Sequence, residues 1–332
     1  MELNDEIVKT VMTTVASFRN VKSLTVVNQR VLAGDLFRMV NRKDLSSLAL
    51  SWVIFDQIPT IDASTLWDSD GLVHPASPAK LSLLGVGWNP VNDPDMLLPR
   101  MAASENLLEF TLDLCSFLQL RRGFSQAGET LGRNIQSFEL MPSRWVPGVD
   151  LNSGVMAQLR DFISLSASSL HTVNVHVASL DTFLGGKLDM ASLEFWRGPE
   201  GLLPMLGVCP LLVRLSVRSG PYAERPLSVI EGCWPKVHEL WIERWSGNMG
   251  LIDNIIRCVD NVEVIHLECL PQINSDDLLP LGWCVSNFEA LQVITISFLG
   301  DGVSKNRDLG MLETEWGRIW DACIRVEWVV TA

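Results

Sequence analysis

The chain is short of positive charge. Its 332 residues carry 26 Lys and Arg against 39 Asp and Glu, a net charge of −13 at neutral pH. A duplex-binding surface needs a basic footprint, and an acidic chain is repelled by anionic membranes. Nucleic acid and membrane surfaces are therefore not the expected partners. No apolar run approaches the roughly 18 residues of a membrane span. The start, Met1-Glu-Leu-Asn-Asp-Glu6, is acidic and has no apolar core of a signal peptide. The seven cysteines are scattered, and no pair has the C-x-x-C spacing of a zinc module. They read as free, buried thiols. No Asn stands in an N-x-S/T acceptor. Together these absences predict a reducing intracellular setting, cytoplasmic or nuclear.

Recognisable chemistry is also missing. There is no G-x-G-x-x-G, no G-x-S-x-G, no H-E-x-x-H and no calcium loop. Gly185-Gly-Lys-Leu188 lacks the upstream Gly and the Ser/Thr of a phosphate loop and reads as a turn. His171 and His176 are five apart, so strand alternation puts them on opposite faces and makes them poor joint ligands. No catalytic residue, cofactor or metal is expected. An enzyme on an irregular α/β fold is the third-ranked alternative; it requires a deep polar pocket with perturbed ionisable groups.

What the sequence has is apolar residues, 47% of the total, arranged in a repeat. The pattern apolar-x-x-apolar-x-apolar begins at Val21, Leu45, Leu81, Leu107, Ile135, Leu170, Met190, Leu212, Val237, Val262 and Leu291, with a weaker copy at Cys323. The mean interval is about 27 residues. The end of each copy alternates apolar with polar residues, a short half-buried strand. Between strands, helical stripes run through Leu3, Ile7, Val8, Val11 and Val15, through Val155, Met156, Leu159, Phe162 and Ile163, and through Leu251, Ile252, Ile255, Ile256 and Val259 after an Asn248 cap.

A strand and a helix every 20 to 36 residues, with an L-x-x-L-x-L core, is the leucine-rich-repeat signature. The expected fold is an α/β irregular solenoid of about 11–12 repeats, with a parallel concave sheet and helices or loops on the convex side. It would form one domain over 1–332. An eight-unit barrel has too few strands for the pattern. The Asn or Cys expected three residues after the last leucine occurs only at Asn89 and Cys115, which predicts an irregular curve. Long turns are expected at about 53–80, 85–100 and 218–228, where Pro, Gly and Asp are frequent.

The array resembles the leucine-rich region of F-box-type proteins, in particular the divergent fungal set with its L-x-x-L-x-L-x-W repeats. Leu45 to Trp52 and Leu81 to Trp88 fit that form. Residues 28–67 also resemble a degenerate F-box: Leu36-Phe-Arg-Met-Val40-Asn-Arg-Lys-Asp44-Leu45, then Leu48, Leu50, Phe55, Ile58 and a closing Leu66-Trp67. The family's opening Leu-Pro-x-Glu is absent; Asn28-Gln-Arg-Val31 stands in its place. The resemblance implies substrate recognition for a ubiquitin ligase, with the adaptor subunit of a cullin-RING ligase as a partner. The alternative is that 36–50 is one helix and strand of the array, in a scaffold or interaction protein with no ligase link.

In a leucine-rich array the positions between the apolar ones face outward on the concave sheet. The contiguous outward set is Glu194, Trp196, Arg214, Arg218, Glu239, Trp241, Glu243, His266 and Glu268. Exposed Trp beside Arg is the composition of a protein-binding hot spot. The same residues also suit cross-strand charge pairing that keeps the sheet soluble. Acidic residues dominate the outward positions: Glu109, Asp113, Glu139 and Glu327 join those above. A protein partner on a mildly acidic groove is expected.

Overall fold

Alternation of apolar and polar residues sets the strands, and their register fixes the phase of the apolar pattern. In a computed structural model the described residues are 10, 14, 20–32, 36, 45–56, 78–87, 97–127, 131–143, 151–179, 181–220, 233–259, 261–271, 273, 275–285, 288–299 and 325–331. The chain divides into two compact units, Met1–Val149 with Phe162–Ser166, and Asp150–Asp161 with Ala167–Ala332. Each is mixed α/β and built on a parallel sheet. The N-terminal helical stripe, most of the three long turns, and residues 57–67 lie outside the described residues.

The first unit holds β1 (Ser23–Val27), β2 (Arg30–Leu32), β3 (Ser47–Ser51), β4 (Ile54–Asp56), β5 (Lys80–Leu84), β6 (Glu109–Asp113) and β7 (Ser137–Met141). β1, β3, β5, β6 and β7 pair in that order, all parallel. β2 and β4 make a small second parallel pair. Helices α1 (Leu97–Ala102) and α2 (Leu114–Ala127) flank β6 in the chain. Leu48, Leu50, Leu112, Phe138 and Leu140 are all buried, as the alternation requires. Each such side chain contributes roughly 1.5–3 kcal/mol by leaving water. The Phe162 ring lies 5.2 to 6.3 Å from those of Phe110, Phe117, Phe124 and Phe138 and gathers them into one aromatic cluster.

Three strands of this unit end on the same corner. Asn28, Trp52 and Gly85 follow β1, β3 and β5 with φ of 53°, 59° and 63°. Only Gly enters that region without steric cost. The N–H of Asn28 donates to the Ser51 carbonyl at 2.9 Å, and that of Trp52 to Leu84 at 2.8 Å. The N–H of Gly85 donates instead to the Asp113 carboxylate at 3.0 Å. Asp113 also accepts the Ser116 N–H at 2.8 Å, at the start of α2. Asp113 is therefore buried and not at an outward position as expected. As the last residue of β6 it turns inward to satisfy backbone donors that a longer ladder would have taken.

The second unit holds β8 (Thr172–Val175), β9 (Phe195–Pro199), β10 (Arg214–Arg218), β11 (Glu239–Trp245), β12 (Val264–Cys269), β13 (Val293–Leu299) and β14 (Arg325–Thr331). They pair in sequence order, all parallel. A 3-10 helix spans Glu200–Met205. Helix α3 (Ser153–Ser164) has residues in both units, and α4 (Met249–Ile256) and α5 (Ser275–Val285) lie in the second. α4 starts where the sequence placed it: the Asn248 carboxamide oxygen accepts the Gly250 N–H at 3.0 Å, and Leu251, Ile252 and Ile255 are buried.

One backbone device recurs in both units. A single carbonyl ahead of a strand accepts two consecutive N–H groups from the start of the next. Lys22, Ala79 and Leu108 do this in the first unit, and His171, Glu194, Val213, His238 and Glu263 in the second.

Two copies of the pattern are displaced by three residues. Leu81 pairs with Leu48, and Leu83, expected outward, is buried. The copy therefore starts at Pro78, and the fit of Leu81 to Trp88 is out of phase. Likewise Trp196 pairs with Val173 and Leu215, so that copy runs Leu193, Trp196, Gly198 and does not start at Met190. Trp196, expected on the outward face, is fully buried. Gly198 has no side chain to show the phase, and the apolar Met190 and Phe195 mimic the pattern three residues early.

Candidate functional site

The register shift rebuilds the outward face of the second unit. Phe195 and Arg197 replace Trp196 on β9, beside Arg214, Ser216 and Arg218 on β10. Glu239, Trp241 and Glu243 follow on β11, with Val264 and His266 on β12.

Two clusters of side chains form there. In the first, Arg214 Nε donates to Glu239 Oε2 at 2.7 Å, and Trp241 Nε1 donates to Glu239 Oε1 at 2.6 Å. Trp241 stacks on His266 with ring centroids 3.9 Å apart and 27° between planes. His266 Nε2 is 3.9 Å from Glu239 Oε1, and the Arg214 guanidinium lies 5.7 Å from the Phe195 ring centre. Burial pushes the Glu239 carboxyl upward, but the bonds from Trp241 and Arg214 outweigh it and hold it below the usual carboxylate range. Trp241 remains 39% exposed.

In the second cluster Glu243 is nearly buried. Ser216 Oγ donates to its Oε1 at 2.8 Å, and Arg218 pairs with its Oε2 at 3.3 Å. Arg197 Nε lies 2.7 Å from Oε1 as an ion pair, with no aligned hydrogen bond. Desolvation raises this carboxyl, and the close Arg197 guanidinium, the Ser216 hydrogen bond and the Arg218 charge overcome it, leaving the group below its ordinary range. Arg218 also donates to the His176 carbonyl at 2.6 Å.

Beyond the C-terminal ends of β8 to β12 is a cavity of about 460 Å³. Arg218, Arg244, Ser179, Ser219 and Ser246 line its polar side. Arg244 is held at φ 55°, where a non-glycine residue costs about 1–2 kcal/mol. The cause is a bulge: Ile242 pairs with Leu267 but Trp245 with Cys269, so β11 carries one residue more than β12. A bulge bends the strand and re-aims its side chains. Behind the cavity wall sits Glu200, 4% exposed. Its carboxylate accepts the Gly220 N–H at 3.3 Å and the Asn248 amide at 3.4 Å. Burial pushes it up to about 7, against the lowering effect of Gly220 and Ser219.

Of the nine residues expected to face a partner, Arg214, Arg218, Glu239, Trp241, Glu243 and His266 come together in these clusters. Glu194 is exposed one residue before β9, and Glu268 is half-buried on β12; neither joins them. Trp196 is a core residue. Sequence reasoning missed Phe195 and Arg197 because of the phase error. It missed Arg244 because a bulge leaves no pattern in one strand, and Glu200 because Gly-Pro-Glu-Gly reads as an ordinary turn.

The described cysteines are free thiols, and burial pushes Cys209 up to about 12. No group of three or more potential metal ligands occurs among the described residues. No helix among them is long and apolar enough to cross a membrane. The chain matches no protein-family model, and no curated protein is similar to it.

Proposed function

We propose that the chain is an irregular leucine-rich-repeat solenoid acting as a non-catalytic protein-interaction module, and that it binds a protein partner on the outward sheet face of β9 to β12. The observation that carries this reading is the Trp241–His266 stack. A large aromatic, 39% exposed, is fixed by a 2.6 Å bond to Glu239 and braced by Arg214. An aromatic held rigid in advance loses little entropy on binding. The repeated double-acceptor carbonyls and the shared corner at Asn28, Trp52 and Gly85 support a repeat array. The free thiols support an intracellular setting.

Resemblance makes substrate recognition for a ubiquitin ligase the specific form of this proposal. Within 28–67, however, Ser47–Ser51 pairs with strands on both sides. That is the arrangement of a repeat and not of three packed helices, and it favours an interaction module without adaptor docking in that segment. Two capture experiments separate the readings. Trp241→Ala should abolish recovery of protein partners while the melting curve is unchanged; undiminished recovery would remove the sheet face from the proposal. Co-purification of the ligase adaptor with the intact chain would restore the ligase form.

A further inference from the structure

We propose that the cavity at the C-terminal ends of β8 to β12 binds an oxyanion carried on an apolar body, with Arg244 as its principal cation. Four observations converge on this chemistry.

First, Arg244 enters no ion pair or side-chain hydrogen bond among the described residues. A bulge and a left-handed backbone conformation hold it on the cavity wall. Strained conformations persist where the surroundings over-determine them and gather at ligand clamps.

Second, the charges near the cavity do not cancel. Arg197, Arg218 and Arg244 stand against Glu243, which the first two already share, and against Glu268, which lies across from the bulge on β12. Burial raises the Glu200 carboxyl in the same region to about 7, which weakens its negative charge near neutral pH. In a chain with a net charge of −13, both charged residues that line the cavity, Arg218 and Arg244, are cations.

Third, hydroxyl donors complete the set. Ser219 and Ser246 face each other at 3.5 Å on one wall, and Ser179 lines another. Charged and hydroxyl donors together are the equipment of an oxyanion site.

Fourth, the volume of about 460 Å³ exceeds what a bare inorganic ion fills. Ala178, Pro199 and Leu270 supply apolar wall. The site therefore suits a carboxylate or phosphate monoester with a hydrocarbon portion. Such a group arrives either as a free organic acid or as an acidic side chain of a polypeptide. The cavity's chemistry does not depend on the sheet-face interaction proposed above.

Calorimetric titration of the intact chain tests the proposal. The probes are hexanoate, phenyl phosphate, the neutral alcohol hexanol, and a capped peptide with one glutamate between two phenylalanines beside its glutamine twin. The anionic probes should bind with dissociation constants below about 10 mM, and more weakly as salt is added. Hexanol and the glutamine peptide should bind at least tenfold more weakly. Arg244→Gly should weaken the anionic probes at least tenfold without lowering the melting temperature, because glycine accepts the left-handed conformation freely. Arg244→Lys should retain part of the affinity. Tighter binding by the glutamate peptide assigns the anion to a polypeptide; tighter binding by hexanoate or phenyl phosphate assigns it to a small molecule. The proposal is overturned if no anion binds, if the neutral probes bind equally well, or if Arg244→Gly leaves anion affinity unchanged.

Discussion

The indole of Trp196 lies over Gly198, two residues further along β9. A Cβ on that glycine would meet the Trp196 ring at 3.2 to 3.3 Å. The indole is fully buried and its Nε1 has no hydrogen-bond partner, so shape complementarity holds it. Gly198→Ala is expected to destabilise the chain by about 1–3 kcal/mol through overpacking. Trp196→Ala should cost about 3–5 kcal/mol through the cavity it leaves. Urea unfolding of the two variants checks both values. A neutral Gly198→Ala would mean that the indole has room to move.

That contact also explains how much of the fold was legible. The copies whose strand positions are Leu, Ile, Val or Phe were phased correctly, as at Leu215, Leu240, Ile265 and Ile294, which lie in register. Phase was lost where a proline or a glycine took an aliphatic position, at Pro78 and at Gly198. The helix cap at Asn248 was legible because capping is local in sequence. The cavity was not, because it depends on an extra residue in β11 relative to β12, and such a mismatch belongs to two strands at once.

Asp113 is expected to carry part of the stability of the first unit. Its carboxylate accepts N–H groups from Gly85 and Ser116 and is 3% exposed. Asp113→Ala leaves both donors buried without a partner, which costs about 1–3 kcal/mol. Asp113→Asn keeps one acceptor oxygen and should lose less. Amide exchange at Gly85 reads the effect directly: its protection should fall in the alanine variant.

Glu243 and Glu239 look alike in sequence but should behave differently. Glu243 is nearly buried and holds Arg197, Arg218 and Ser216. Removing it as Glu243→Ala strands two partly buried cations and should cost about 2–3 kcal/mol. The Glu239 pair with Arg214 is more open, since the Arg214 side chain is 52% exposed. Glu239→Ala should therefore cost no more than about 1 kcal/mol. It should also free the Trp241 ring, which is visible as a change in tryptophan fluorescence. Equal losses of stability in the two variants would overturn this ranking.

Glu200 predicts the pH dependence of the second unit. In the folded chain burial raises its carboxyl from 4.5 to about 7. Between these values the folded state holds a proton that the unfolded state has released. Stability from this group is therefore complete at acid pH and declines as pH rises toward 7, the reverse of an ion-paired carboxylate. A gap of this size corresponds to about 3 kcal/mol. Glu200→Gln mimics the protonated form and keeps an oxygen for Gly220 and Asn248. Urea unfolding at about pH 5 and about pH 8 should show the variant gaining on the parent at the higher pH. The two should be nearly equal at the lower one. If the difference between them is the same at both, the Glu200 carboxyl is fully ionised in the fold at neutral pH, and the wall behind the Arg244 cavity carries its whole negative charge.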